Sequence, residues 1–174
     1  MKKQWLIMYF IFFITACTVN KKTPPSDSIM TDYLSKQRKE LTYIINNLHH
    51  YPGISRIALN DGKFATHPHG VLPLLHHEFI ATIQKIELPL LQILWRDNQW
   101  QYAEFVIFTS GMVFGGESKS LIYSKTPITE DLYQNLDKAR ADAIAQYSNQ
   151  STSRTFKGYK SLGEGWYIYQ YIYF

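Results

Sequence analysis

Between residues 28 and 50, Leu34, Leu41, Ile45 and Leu48 recur at intervals of seven, four and three, while Lys36, Arg38, Lys39 and Glu40 fall mostly off that stripe. The spacing predicts an amphipathic helix, stopped by Pro52-Gly53. Residues 54–60 read as a strand with an Asp61-Gly62 turn after it. The stretch 63–75, carrying His67-Pro68-His69-Gly70 and Pro73, reads as loop. Residues 76–87 fit a short helix that presents Phe79, Ile80, Ile83 and Ile86.

After Pro89 the period changes to two. Segments 90–96 and 99–110, joined by Asp97-Asn98, predict a hairpin. In strand geometry Trp100, Tyr102, Glu104, Val106 and Phe108 share one face, and Gln101, Ala103, Phe105, Ile107 and Thr109 the other. Both faces turn apolar toward the end, as in a central strand covered on both sides. Gly111 and Gly115-Gly116 bound a turn or bulged edge before a strand at 119–124. Pro127 and Thr129 are read as opening a further helix, with Thr129 as N-cap, Glu130-Asp131 in the first turn, and Leu132, Leu136, Ala139, Ala143 and Tyr147 as its buried stripe. Residues 154–162 and 166–174 close the chain as a hairpin across Gly163-Glu164-Gly165. The expected class is α+β, an antiparallel sheet of five to six strands with two or three packed helices.

The N-terminus has a different character. Lys2 and Lys3 precede an uncharged apolar run from Trp5 to Ile14, and small residues follow it. This is the layout of a secretory signal peptide. Ile14-Thr15-Ala16-Cys17 resembles the signal of bacterial lipoproteins, which implies that Cys17 becomes the lipidated first residue of the mature chain. A retained membrane helix needs about 20 apolar residues, more than this run supplies. Secretion without lipid, with a free Cys17 thiol, is the other alternative. The expected divisions are a signal peptide at 1–16, the lipidated cysteine and a polar tether with Pro24-Pro25 at 17–27, and one globular domain at 28–174.

Loss of the leader leaves 158 of 174 residues, enough for one compact domain. Two lysines leave with it, so the formal charge drops by two from +4. The basic groups form no long stripe, which argues against a nucleic-acid partner. Cys17 is the only cysteine. Once it is acylated, the domain has no disulfide, no thiol nucleophile and no thiolate ligand, so packing of aromatic residues must stabilise it.

Four of the six histidines lie in His67-Pro68-His69 and His76-His77-Glu78. Imidazoles in this density are candidate ligands for zinc or copper, with Glu78 as ligand or base. The His-Glu-x-x-His spacing is absent, and so are Gly-x-Ser-x-Gly and the phosphate-cradling P-loop. No catalytic residue and no cofactor is therefore expected. The C-terminal run places Tyr167, Tyr169, Tyr171 and Tyr173 on one strand face and Trp166, Ile168, Gln170, Ile172 and Phe174 on the other. A strand this apolar is either core or a partner surface in which Trp166 and the four tyrosines take part.

The stretch 110–174 resembles small bacterial lipoproteins encoded beside type VI secretion effectors, on Gly111, Gly115, Gly116, Lys119, Tyr123, Trp166, Tyr167 and Tyr169. Ser120 and Leu121 stand where that pattern has a glycine-containing dipeptide. The resemblance implies an immunity protein that binds and blocks a cognate toxin. The expectation is thus a lipoprotein held on a membrane by its anchor, binding a protein partner without covalent chemistry. Thr18 after Cys17, in place of an aspartate, favours the outer membrane facing the periplasm over the inner membrane. A His-dependent metal-binding protein and an envelope structural or assembly accessory are the alternatives.

Overall fold

The computed structural model describes residues 23–60, 63–68, 75–111, 116–148 and 153–174. Helix α1 (Asp27–Asn47) opens on Ser26, whose hydroxyl accepts from the Ile29 N–H at 3.4 Å. It buries Met30, Leu34, Leu41, Ile44 and Ile45, each side chain stabilising by about 1.5–3 kcal/mol. A 3-10 turn (Leu48–His50) ends it. Then come β1 (Arg56–Asn60), β2 (Lys63–His67), α2 (His77–Lys85), β3 (Leu90–Arg96), β4 (Gln99–Ser110), β5 (Gly116–Ser124), α3 (Leu136–Tyr147), β6 (Thr155–Gly163) and β7 (Trp166–Tyr173).

The seven strands form one antiparallel sheet in the order β2-β1-β3-β4-β5-β7-β6, which puts β4 at its centre. The α+β class is as expected, with one strand more than the sequence suggested. One row of cross-strand partners, Thr66, Ile57, Leu91, Phe105, Leu121, Ile168 and Lys160, runs across all seven strands. From Ile57 to Ile168 this row is buried and packs against residues of all three helices. The adjacent row, His67, Arg56, Gln92, Glu104, Ile122, Tyr167 and Ser161, therefore faces the opposite way. Among the described residues no helix lies on that second face, and none is long and apolar enough to cross a membrane.

Three expectations need correction. Residues 63–67 are strand rather than loop, because Phe64 and Thr66 alternate with exposed neighbours and pair with β1. Thr129 does not cap a helix: α3 starts at Leu136, where the Asn135 side chain accepts from the Lys138 N–H at 2.8 Å. Its predecessors instead run along the sheet edge, with the Tyr133 N–H donating to the Tyr159 carbonyl and the Tyr159 N–H to the Asp131 carbonyl, both at 2.8 Å. Leu132 consequently stays 47% exposed. Third, β4 is not regular. Leu94 pairs with Tyr102 but Trp95 with Trp100, so Gln101 is an extra residue. This bulge moves Trp100 off the face of Tyr102 and into the helix-side core beside Tyr123.

Candidate functional site

Two polar constellations sit on opposite sides of the sheet. On the helix side, Lys119 points from β5 into the interior with no exposed surface. Its Nζ donates to Asp27 Oδ1 at 2.9 Å and Asp137 Oδ1 at 2.6 Å, while Lys160 Nζ reaches Asp27 Oδ2 at 3.1 Å. The Leu136 N–H donates to Asp27 Oδ2 at 3.0 Å, and the Asp27 N–H to Asp137 Oδ2 at 2.7 Å. Burial pushes the Asp27 carboxyl up, but the two ammonium groups outweigh it and hold it below its ordinary value. Nearby, Arg140 grips Glu117 in a fork, and the Gln170 amide donates to Glu117 Oε1 and the Ser118 carbonyl. Every charge here has a partner within the fold. This cluster fastens the starts of α1 and α3 to β5 and β6, and leaves the buried Gln170 Oε1 without a hydrogen-bond partner.

The opposite face is different. Ile122, Ser120 and Val106 are buried on it without helical cover. The chain leaving β5 crosses it, pinned where the Ile128 N–H donates to the Tyr167 hydroxyl at 3.2 Å. Between this crossing and the sheet lies a cavity of about 270 Å³ lined by Tyr102, Glu104, Ile122, Ser124, Thr126, Ile128, Tyr159 and Tyr169. Glu104 accepts from the Ser120 hydroxyl at 2.7 Å. Burial pushes its carboxyl above the ordinary glutamate value, more than that hydrogen bond lowers it. Tyr102, Tyr159 and Tyr169 are all raised, by burial first and by the neighbouring Glu104 charge in addition. Tyr159 and Tyr169 stack with centroids 4.8 Å apart. Tyr102 also borders a shallower depression of about 660 Å³ over β1, β2 and β3, which includes Arg56, His67, Gln92 and Leu94.

The tyrosines expected on β7 are graded along this face. Tyr167 is buried, Tyr169 and Tyr171 are half-buried, and Tyr173 is 41% exposed. Trp166 lies on the other side of β7, 2% exposed, against Phe105 and Tyr123. Trp166 is thus a core residue on the helix side, away from the tyrosine face. β7 is paired on both sides, by β5 and β6, so it presents no bare edge.

Of the histidine cluster, His67 ends β2 while His76 and His77 open α2 with Glu78, and all four are exposed. His69 and Cys17 lie outside the described residues. Among the described residues no three His, Cys, Asp or Glu side chains gather where a metal would be held. The Glu104 pocket was not visible as a site in the sequence. Its members come from β4, β5, β6, β7 and the crossing segment, and the only advance signal was a glutamate on an otherwise apolar strand face.

No family model matches the chain, and neither a curated protein nor a solved structure does.

Proposed function

We propose that this chain is a membrane-anchored periplasmic lipoprotein that binds a protein partner non-covalently, in the manner of an immunity protein neutralising a toxin. One observation carries the reading: the tyrosine-lined face of the sheet, which no described helix covers and which holds a carboxylate that the fold does not neutralise. Tyrosine supplies large, amphipathic contact area and is enriched in interface hot spots. A carboxylate kept in such surroundings costs stability, and costs of this kind concentrate at functional sites.

The first helix enters the fold on the other side of the sheet. Asp27, at the start of α1, is bound to Lys119 and Lys160 on the helix side of the sheet. Nine residues lie between it and Cys17, a tether of about 35 Å at full extension. The tyrosine face is the one opposite Asp27, carries no described helix, and is open to a partner in the periplasm. Motifs for hydrolytic or phosphoryl chemistry are missing from the sequence, which agrees with binding as the role.

Purification from membranes tests the reading. The wild-type protein and an Ile29→Lys variant, altered on the exposed side of α1, should bring down the same partner. A Tyr173→Lys variant should lose it. Equal recovery by all three would contradict the assignment of this face.

A further inference from the structure

We infer that the Glu104 pocket receives one positively charged side chain of the partner, a lysine ammonium or an arginine guanidinium. The inference rests on the protein-binding reading above and adds the chemistry of what is bound. A space of about 270 Å³ between the sheet and the crossing segment suits a single side chain. Ile122 and Ile128 give apolar walls for an aliphatic stem, the part of lysine and arginine that prefers to leave water. Tyr102 and the stacked pair Tyr159–Tyr169 line the interior, and aromatic rings are favourable neighbours for a cation. Glu104 supplies the negative charge, and its Ser120 hydrogen bond fixes it in place.

The pocket is not satisfied from within. No described lysine or arginine forms an ion pair with Glu104, and two lysines of neighbouring segments are engaged elsewhere. Lys157, beside Tyr159, holds Asp131 at 3.2 Å. Lys125, which follows β5, lies 4.0 Å over the Trp100 ring. A half-buried carboxylate in a pocket lined by three tyrosines, with no ion-pair partner among the described residues, is the complement of an absent cationic group.

The test uses the full chain purified from membranes in detergent, with backbone amide NMR shifts as the readout. Butylammonium and propylguanidinium are titrated separately as stand-ins for lysine and arginine, with butanol as the neutral control. One or both cations should produce saturable shifts at Glu104, Ser120 and Tyr169 with a Kd on the order of 1 mM, and the stronger of the two identifies the preferred side chain. Butanol should produce none. Glu104→Gln, which keeps an acceptor for Ser120, should weaken cation binding about tenfold. Tyr102→Leu, at the rim, should weaken it severalfold should Glu104→Gln disturb the fold. Absence of saturable shifts, an equal response to butanol, or binding indifferent to both variants would overturn the inference. If the pocket ignores cations while Tyr173→Lys still loses the partner, the cation inference fails and protein binding stands; the reverse pattern separates them the other way.

Discussion

Lys119 Nζ lies 2.9 Å from Asp27 Oδ1, joining an interior strand of the sheet to the first residue of α1 through an ion pair with almost no solvent contact. Asp27 also accepts the Leu136 N–H, so one carboxylate orders the beginnings of two helices at once. A buried pair of this kind stabilises little relative to apolar packing, yet removal of one partner strands the other. Lys119→Met should therefore cost about 3–5 kcal/mol in chemical denaturation. The double variant Lys119→Met with Asp27→Asn should recover part of that loss. A double-mutant coupling near zero would show that the two side chains act independently.

Asp27 and Glu104 should respond to pH with opposite signs. The folded state depresses the Asp27 carboxyl. Its contribution is fully present above the ordinary aspartate value and is lost as pH falls through the folded one. The folded state raises Glu104. Between the ordinary and the raised value the folded protein binds more protons than the unfolded one, so this group costs stability as pH climbs to neutral. Glu104→Gln should consequently raise stability at pH 7 by about 0.5–2 kcal/mol, the size usual for a stabilising single change. The gain should shrink in acid, where Glu104 is protonated in both states. Thermal melts of the two proteins across pH check this, and a variant less stable at neutral pH would contradict it.

Gly158 on β6 is set by its neighbour rather than by its backbone. A Cβ there would stand 2.7 Å from Leu136 Cδ1, with Tyr133 and Phe156 at 3.0 Å. Leu136 is fully buried and opens α3, so the strand admits no side chain beneath it. Gly158→Ala should cost about 1–3 kcal/mol by overpacking, measurable as a lower denaturation midpoint.

The proposed lipid anchor makes location depend on Cys17. Cys17→Ser should leave an unacylated precursor, which separates from acylated protein by mass spectrometry of the N-terminal peptide. Membrane association should then weaken, because the durable anchoring of such proteins comes from more than one acyl chain. Full retention of the serine variant in washed membranes would contradict a lipid anchor.

Much of the fold is written in local patterns. The stripe Leu34, Leu41, Ile45 and Leu48 is buried as its period requires. Asp97 and Asn98 both take positive φ, 52° and 58°, in the two-residue turn that their sequence favours. What escaped was set by tertiary contact. Thr129 with Glu130-Asp131 imitates a helix start, but the backbone of 131–133 finds its hydrogen bonds on Tyr159 of β6 instead. The short β2 was hidden by the proline and histidines that follow it. The Gln101 bulge inverted Trp100 while leaving the alternation of Tyr102, Glu104 and Val106 readable. Those three positions were placed together correctly, yet nothing local indicates that Glu104 meets Tyr159 and Tyr169, which lie more than fifty residues away in the chain.

If the tyrosine-bearing face of the sheet holds a protein partner, site-specific photocrosslinking in the native envelope should trap that partner there. A photoreactive residue is placed in turn at Tyr173 and Leu94, both well exposed on that face, and at Ile29 on α1. A discrete adduct of the same mass from Tyr173 and Leu94, with none from Ile29, is the predicted outcome. Adducts from Ile29 alone, or none from the tyrosine face while the partner still co-purifies, would contradict it.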